Sequence, residues 1–208
     1  TLYGKNSTGG AIKITTREPA EETEGALEFT LGEFGRRDVK GYVAGQVGEG
    51  VGASFAILKA DSDGYVTDPL TGREYNGEDT TAARFKLSFN GIEDLRITLT
   101  ADHLQQKAPL TLGRPEADLR QTDLLLGPVV LRPRDPSEYN FESSTSFAPF
   151  IGQELEHEGI TGTVAWDISE RWSFKSITAF RRLQTNSYID IDASEYELGD
   201  VRVALDQD

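Results

Sequence analysis

Three stretches of the chain carry residue types at spacings that could do chemistry. Asp61-Ser62-Asp63-Gly64 matches the opening of a calcium-binding loop, in which alternate carboxylates face one ion. The match ends there. The twelfth position from Asp61, where a bidentate Glu would complete the shell, is Gly72, so a structural turn is expected. Gly4-Lys5-Asn6-Ser7-Thr8-Gly9-Gly10 is glycine-rich like a phosphate cradle, but it lacks the glycine order and the closing Lys-Ser/Thr of one, and a strand pattern follows it rather than a helix. Glu154, Glu156 and Glu158 recur at every second residue, which on a strand aligns three carboxylates on one face. They read as a solvated rim, or as a row bridging to anionic lipid through divalent cations. His103 and His157 have no partner His at i±2 or i±4 and are not read as metal ligands. No Ser–His–acid arrangement is legible, so no catalytic residue, cofactor or metal site is assigned and no enzymatic activity is expected.

The elements that would position such residues are bounded by composition. The 208 residues carry a formal charge of −14, which argues against nucleic acid as a partner because neutralising phosphates needs a basic surface. The chain is 37% apolar, which with 21 Gly argues against wholesale disorder. The longest apolar runs, such as 124–131, fall far short of the ~20 residues of a membrane helix, and Gly127 and Pro128 interrupt that one. Zero Cys excludes disulfides and thiolate metal sites. Zero Met, including at position 1, leads us to expect a processed chain or an internal piece of a longer one.

Period-two alternation dominates, as in strands with two unlike faces. In 94–103, Leu95, Ile97, Leu99 and Ala101 oppose Arg96, Thr98, Thr100 and Asp102; in 83–90, Ala83, Phe85, Leu87 and Phe89 oppose Arg84, Lys86, Ser88 and Asn90. Ile160, Gly162, Val164, Trp166 and Ile168 form a third such row. Seven strands are expected, at roughly 25–34, 37–47, 51–60, 80–90, 94–106, 157–168 and 172–190, with Asn90-Gly91 marking one tight turn.

Connection lengths sort by parity. Short turns at 48–50, 90–93 and 169–171 alternate with long connections at 61–79 and 107–156, apart from a tight first hairpin near Gly35. Transmembrane β-barrels show that asymmetry, with short periplasmic turns and long extracellular loops; a soluble β-sandwich alternates too, but its loops need not sort. Charge follows the loops: 61–80, 106–154 and 185–208 together carry −13 of the −14. Nearly neutral strands suit a face that meets lipid. Phe89, Trp166, Trp172 and Phe174 lie beside the short turns, where an aromatic girdle at one interface would fall. In such a barrel the opposite row (Glu28, Thr30, Arg84, Lys86, Arg96, Thr98, Thr100, Asp102, Thr161, Thr163) faces the lumen or a plug. Arg84, Lys86, Arg96 and Asp102 are the candidates for holding one in place.

The opening residues carry a resemblance. Leu2-Tyr3-Gly4, then Gly9-Gly10, Ile12, Ile14 and Pro19, match the pattern L-Y-G, about four residues, G-G-x-I-x-I-x-T-x-x-P. This resembles the end of the plug domain of TonB-dependent outer-membrane receptors, after which the barrel begins. Lys13 stands where Asn is common. Phe34-Gly35-Arg36-Arg37 and Asp63-Gly64-Tyr65 also resemble the family's opening strands. The resemblance implies an all-β fold: the end of a plug (1–19), then the first seven or so strands (20–208) of a barrel of 22-strand size. It further implies a bacterial outer-membrane location, surface-exposed long loops, and energised uptake of a scarce bulky ligand, commonly a ferric siderophore or other iron complex, sometimes cobalamin or a saccharide. The implied partners are outer-membrane lipid and a TonB-type energy-transducing protein, reached through a segment preceding this chain. A secreted β-sandwich binding module and a passive outer-membrane channel are the alternatives.

Overall fold

The computed structural model describes residues 15–19, 21–114, 119–123, 127–131, 140–148 and 152–208. Leu2, Tyr3, Gly4, Gly9, Gly10, Ile12 and Ile14 lie outside them. No helix occurs among the described residues. The strands in chain order are β1 (Glu24–Leu31), β2 (Arg37–Gly48), β3 (Val51–Ser62), β4 (Val66–Thr67), β5 (Glu74–Tyr75), β6 (Glu78–Ile92), β7 (Leu95–Pro109), β8 (Leu119–Asp123), β9 (Gly127–Leu131), β10 (Gly152–Ser169), β11 (Trp172–Asp190) and β12 (Asp200–Gln207). Eight of these make one sheet in the order β1-β2-β3-β6-β7-β10-β11-β12, each antiparallel to its neighbour. β4–β5 and β8–β9 are separate hairpins. The sheet is open, with β1 and β12 as its edges.

Seven strands of the large sheet correspond to the expected ones, and the eighth, β12, is an addition. Val201, Val203 and Leu205 alternate there with Arg202, Ala204 and Asp206 and pair with β11 from Asp190 to Leu183. Acidic residues on both flanks hide that short alternation in the sequence. The turn expected at Asn90-Gly91 moves three residues on. β6 continues through both residues to Ile92, with a register shift after Phe89, and the chain reverses at Glu93-Asp94, where Asp94 has φ 63°. Gly91 serves the neighbouring turn instead. A Cβ on Gly50 would come within 2.3 Å of its Cα, and the Asn90 N–H donates to the Gly50 carbonyl at 2.8 Å. The short connections (49–50, 93–94, 170–171) thus lie at one end of the sheet and the longer ones at the other, as the parity of lengths requires.

Register places the alternating rows on two faces. One face carries Phe55 opposite Phe85, Phe85 opposite Ala101, Leu87 opposite Leu99, Ile97 opposite Val164, and Trp166 opposite Phe174. Its large side chains stay exposed: Phe29 is 67%, Ile160 55% and Trp172 73% accessible. From Ile160 to Ile168 the row runs ~27 Å at ~3.4 Å per residue, or ~20 Å after barrel-like tilt. Toward the long-loop end it gives way to charge, with Lys59 paired to Asp79, His103 beside Glu158 and Arg182 beside Asp208.

Burial concentrates beyond that end. Val66, Tyr75, Leu110 and Leu112 form a small core joined by Phe147 and Tyr188, whose rings meet edge-on at 5.6 Å. Asn76, held at φ 64°, makes three bonds to the 110–112 segment. Its amide donates to the Leu112 carbonyl at 3.0 Å, its side-chain oxygen accepts the Leu112 N–H at 2.6 Å, and its backbone N–H donates to the Leu110 carbonyl at 3.0 Å. The Thr67 N–H bonds to the Phe141 carbonyl, and Ser143 returns a bond to the Thr67 carbonyl. At the first hairpin Gly35 has φ 64°, and a Cβ there would fall 2.1 Å from the Asp63 carboxylate. Asp61-Ser62-Asp63-Gly64 accordingly acts as a turn in which the Asp63 N–H donates to the Phe34 carbonyl and the Phe34 and Tyr65 rings lie 5.9 Å apart.

Candidate functional site

The polar face of the sheet gathers the charged residues singled out above. Arg84, Lys86, Arg96 and Asp102 all fall on it, because Arg84 pairs with Asp102, Lys86 with Thr100, and Arg96 with Ala165. Arg84 and Arg96 are exposed, whereas the Lys86 side chain is only 6% accessible.

What covers Lys86 is the segment ahead of β1. Its ammonium donates to the carbonyls of Thr16 (3.2 Å) and Arg17 (2.8 Å) and to the Glu18 carboxylate (3.3 Å). Three acceptors match the three N–H donors of a lysine, which is what permits burying the charge. Pro19, which closes the opening motif, lies against the same face: a Cβ on Gly52 would be 2.9 Å from the Pro19 Cβ. Glycine at 52 therefore leaves the clearance that the segment occupies.

A second cluster lies further up this face. Arg181 donates from both terminal nitrogens to the two Asp102 oxygens at 3.4 Å. The His157 ring closes the triangle, with Nε2 3.0 Å from Arg181 and Nδ1 3.5 Å from Asp102. Gly159 lies between their strands, where a Cβ would come within 3.2 Å of both charged groups, so the pair closes over it only because no side chain is there. Arg181 and Asp102 are 79 residues apart in sequence, so no local spacing could announce their pairing. The cluster joins a carboxylate, an imidazole and a guanidinium in a fork that fixes position.

Acidic groups assemble at two other places. His103, Glu156 and Glu158 approach one another on the apolar-row face, above the apolar band, with Glu158 exposed. Asp190, Asp192 and Asp200 converge in the loop joining β11 to β12, and there Asp190 and Asp192 are buried. Burial pushes the Asp190 carboxyl above the usual carboxylate range. The Thr145 hydroxyl and the Ala193 N–H oppose the shift, and neighbouring Asp192 and Asp200 add to it. Sequence reasoning counted these three only as part of an acidic stretch; the Asp-x-Asp spacing of 190 and 192 was the available signal.

No family model, curated protein or solved structure matches the chain.

Proposed function

We propose that this chain is part of the wall of a TonB-dependent outer-membrane receptor, with the end of the plug lying on its lumen face. The observation that carries the reading is the two-sidedness of the sheet. One face exposes an apolar row from β1 to β11, and the other, largely polar face holds the chain's own N-terminal segment through the buried Lys86. An exposed apolar surface of that extent is stable only against a lipid or protein partner. A β-sandwich would need that row covered by a second sheet, and among the described residues none covers it. An empty passive channel gives Lys86 no segment to hold. On this reading the two open edges are completed by further strands of the same barrel. The ligand is of the class taken up by energised receptors, a ferric siderophore or comparable iron complex, and a TonB-type protein supplies the energy.

The test uses the full-length protein reconstituted in bilayers. A fluorophore attached through Ile97→Cys is quenched by brominated lipid tails, and one attached through Thr98→Cys is not. Equal response at both positions removes the lipid-facing assignment. Uptake of iron-loaded siderophore should stop when the proton-motive force is collapsed; uptake that persists identifies a passive channel.

A further inference from the structure

The loop between β11 and β12 folds around carboxylates that the protein itself leaves unsatisfied. The Ile191 N–H donates to the Gly199 carbonyl at 3.1 Å and closes the loop. Inside it, Asp190 Oδ1 accepts the N–H groups of Asp192 (3.1 Å) and Ala193 (2.7 Å), and Asp192 Oδ1 accepts the Ser194 hydroxyl. Each buried aspartate thus spends one oxygen on the turn. Neither of the other two, Asp190 Oδ2 and Asp192 Oδ2, has a hydrogen bond of full geometry: the Thr145 hydroxyl faces the Asp190 carboxyl, nothing faces Asp192 Oδ2, and Asp190 is only 8% and Asp192 1% accessible. A carboxylate oxygen from each, and one from Asp200, lie within 4.8 Å of one another. Gly199 lies beside them, where a Cβ would stand 3.7 Å from Asp192 Oδ2, an ordinary contact distance. Among the described residues no Lys, Arg or His forms an ion pair with any of the three.

Buried carboxylate oxygens without a donor are strongly disfavoured unless a positive charge compensates them. A proton shared within the cluster would neutralise one carboxylate and leave two. A hard divalent cation offsets two of the three charges while bonding to all three carboxylates, and carboxylates that converge on one point are its preferred donors. The geometry points to a calcium-class site formed by Asp190, Asp192 and Asp200. Calcium fits better than magnesium, because its ~2.3–2.6 Å bonds and variable coordination accept several carboxylates, whereas magnesium keeps its waters and takes one or two. Asp200 also accepts the Ser146 hydroxyl at 2.8 Å, and Phe147 packs on Tyr188. An ion here would therefore rivet the 191–199 loop to both strands and to the 140–148 segment. The site is independent of what the apolar face of the sheet meets.

The experiment follows cleavage by a glutamate-specific protease at Glu195 and Glu197 in the full-length protein, stripped with EGTA and then returned to calcium or magnesium. Extracellular calcium modules bind at ~10⁻⁴–10⁻³ M, so about 5 mM calcium should slow cleavage roughly tenfold, and equal magnesium much less. Asp192→Asn should lose the calcium effect, shifting half-protection to at least ~10-fold higher calcium, while Asp206→Asn on the exposed edge strand should keep it. If Asp192→Asn does not fold, Asp200→Asn, at an exposed position, makes the same test. Cleavage indifferent to calcium, or slowed equally in the wild type and the Asp192 and Asp200 variants, overturns the site.

Discussion

The eight-stranded wall and the cap of loops at one end of it are stabilised in opposite ways. The wall is held by backbone ladders and cross-strand pairs, and its apolar side chains, from Phe29 to Phe180, stay exposed. The cap has few regular strands, yet it contains the buried core, with Leu110 at 1% and Tyr75 at 4% accessible. The difference teaches where each part finds its apolar partner. The wall presents its partner surface to the surroundings, whereas the cap, built from acidic loops, must supply its own, and does so with a few hydrophobic residues and the Asn76 bonds.

The largest effect that sharpens this contrast is in the cap. Leu110→Ala should cost ~2–5 kcal/mol of local stability, because a fully enclosed leucine leaves a cavity that its neighbours fill only in part. Hydrogen exchange should show faster opening at Asn76 and Leu112 while the amides of β6 and β7 hold their protection. Equal loss in wall and cap would mean that the two are one cooperative unit.

Next comes the wall. On the proposed outer-membrane reading, Ile97→Arg in the full-length protein in bilayers should destabilise by ~2–4 kcal/mol, and Thr98→Arg, one residue on, by far less, as denaturant unfolding would measure. Similar costs at both positions would erase the distinction between the faces.

A smaller and more local change is expected at Lys86→Met. It removes the charge-assisted bonds to the Thr16 and Arg17 carbonyls, which hold a segment lying on the sheet rather than the sheet itself. Trypsin should then cut after Arg17 faster, with the unfolding midpoint of the wall nearly unchanged; an unaltered cleavage rate would show that Lys86 does not hold the segment. The smallest effect is at Lys40→Gln. Its pair with Glu28, 2.8 Å long, is exposed on both sides and screened by solvent, so no change in melting temperature should be detected.

Which of these features the sequence discloses depends on how far apart the interacting residues lie. Alternation is a relation between residues two apart, so Ile97 and Thr98 could be assigned to opposite faces directly, and the parity of connection lengths then ordered the strand ends. Those local relations determined the all-β class, seven of the eight strands of the sheet, and the shared face of Arg84, Lys86, Arg96 and Asp102. Only the tertiary structure decided the rest. β12 became a strand because β11 offered a free edge to its short alternation, and the turn moved from Asn90-Gly91 to Glu93-Asp94 while the backbone of Asn90 and Gly91 packed against Gly50. Lys86 found its acceptors 68 to 70 residues away, and Arg181 reached Asp102 across two strand registers. The carboxylates of Asp190, Asp192 and Asp200 met because a loop closed over them. Pairings of that kind depend on which strands become neighbours and which loops stack. That is set by the free energy of the whole sheet, so no window of adjacent residues contains it.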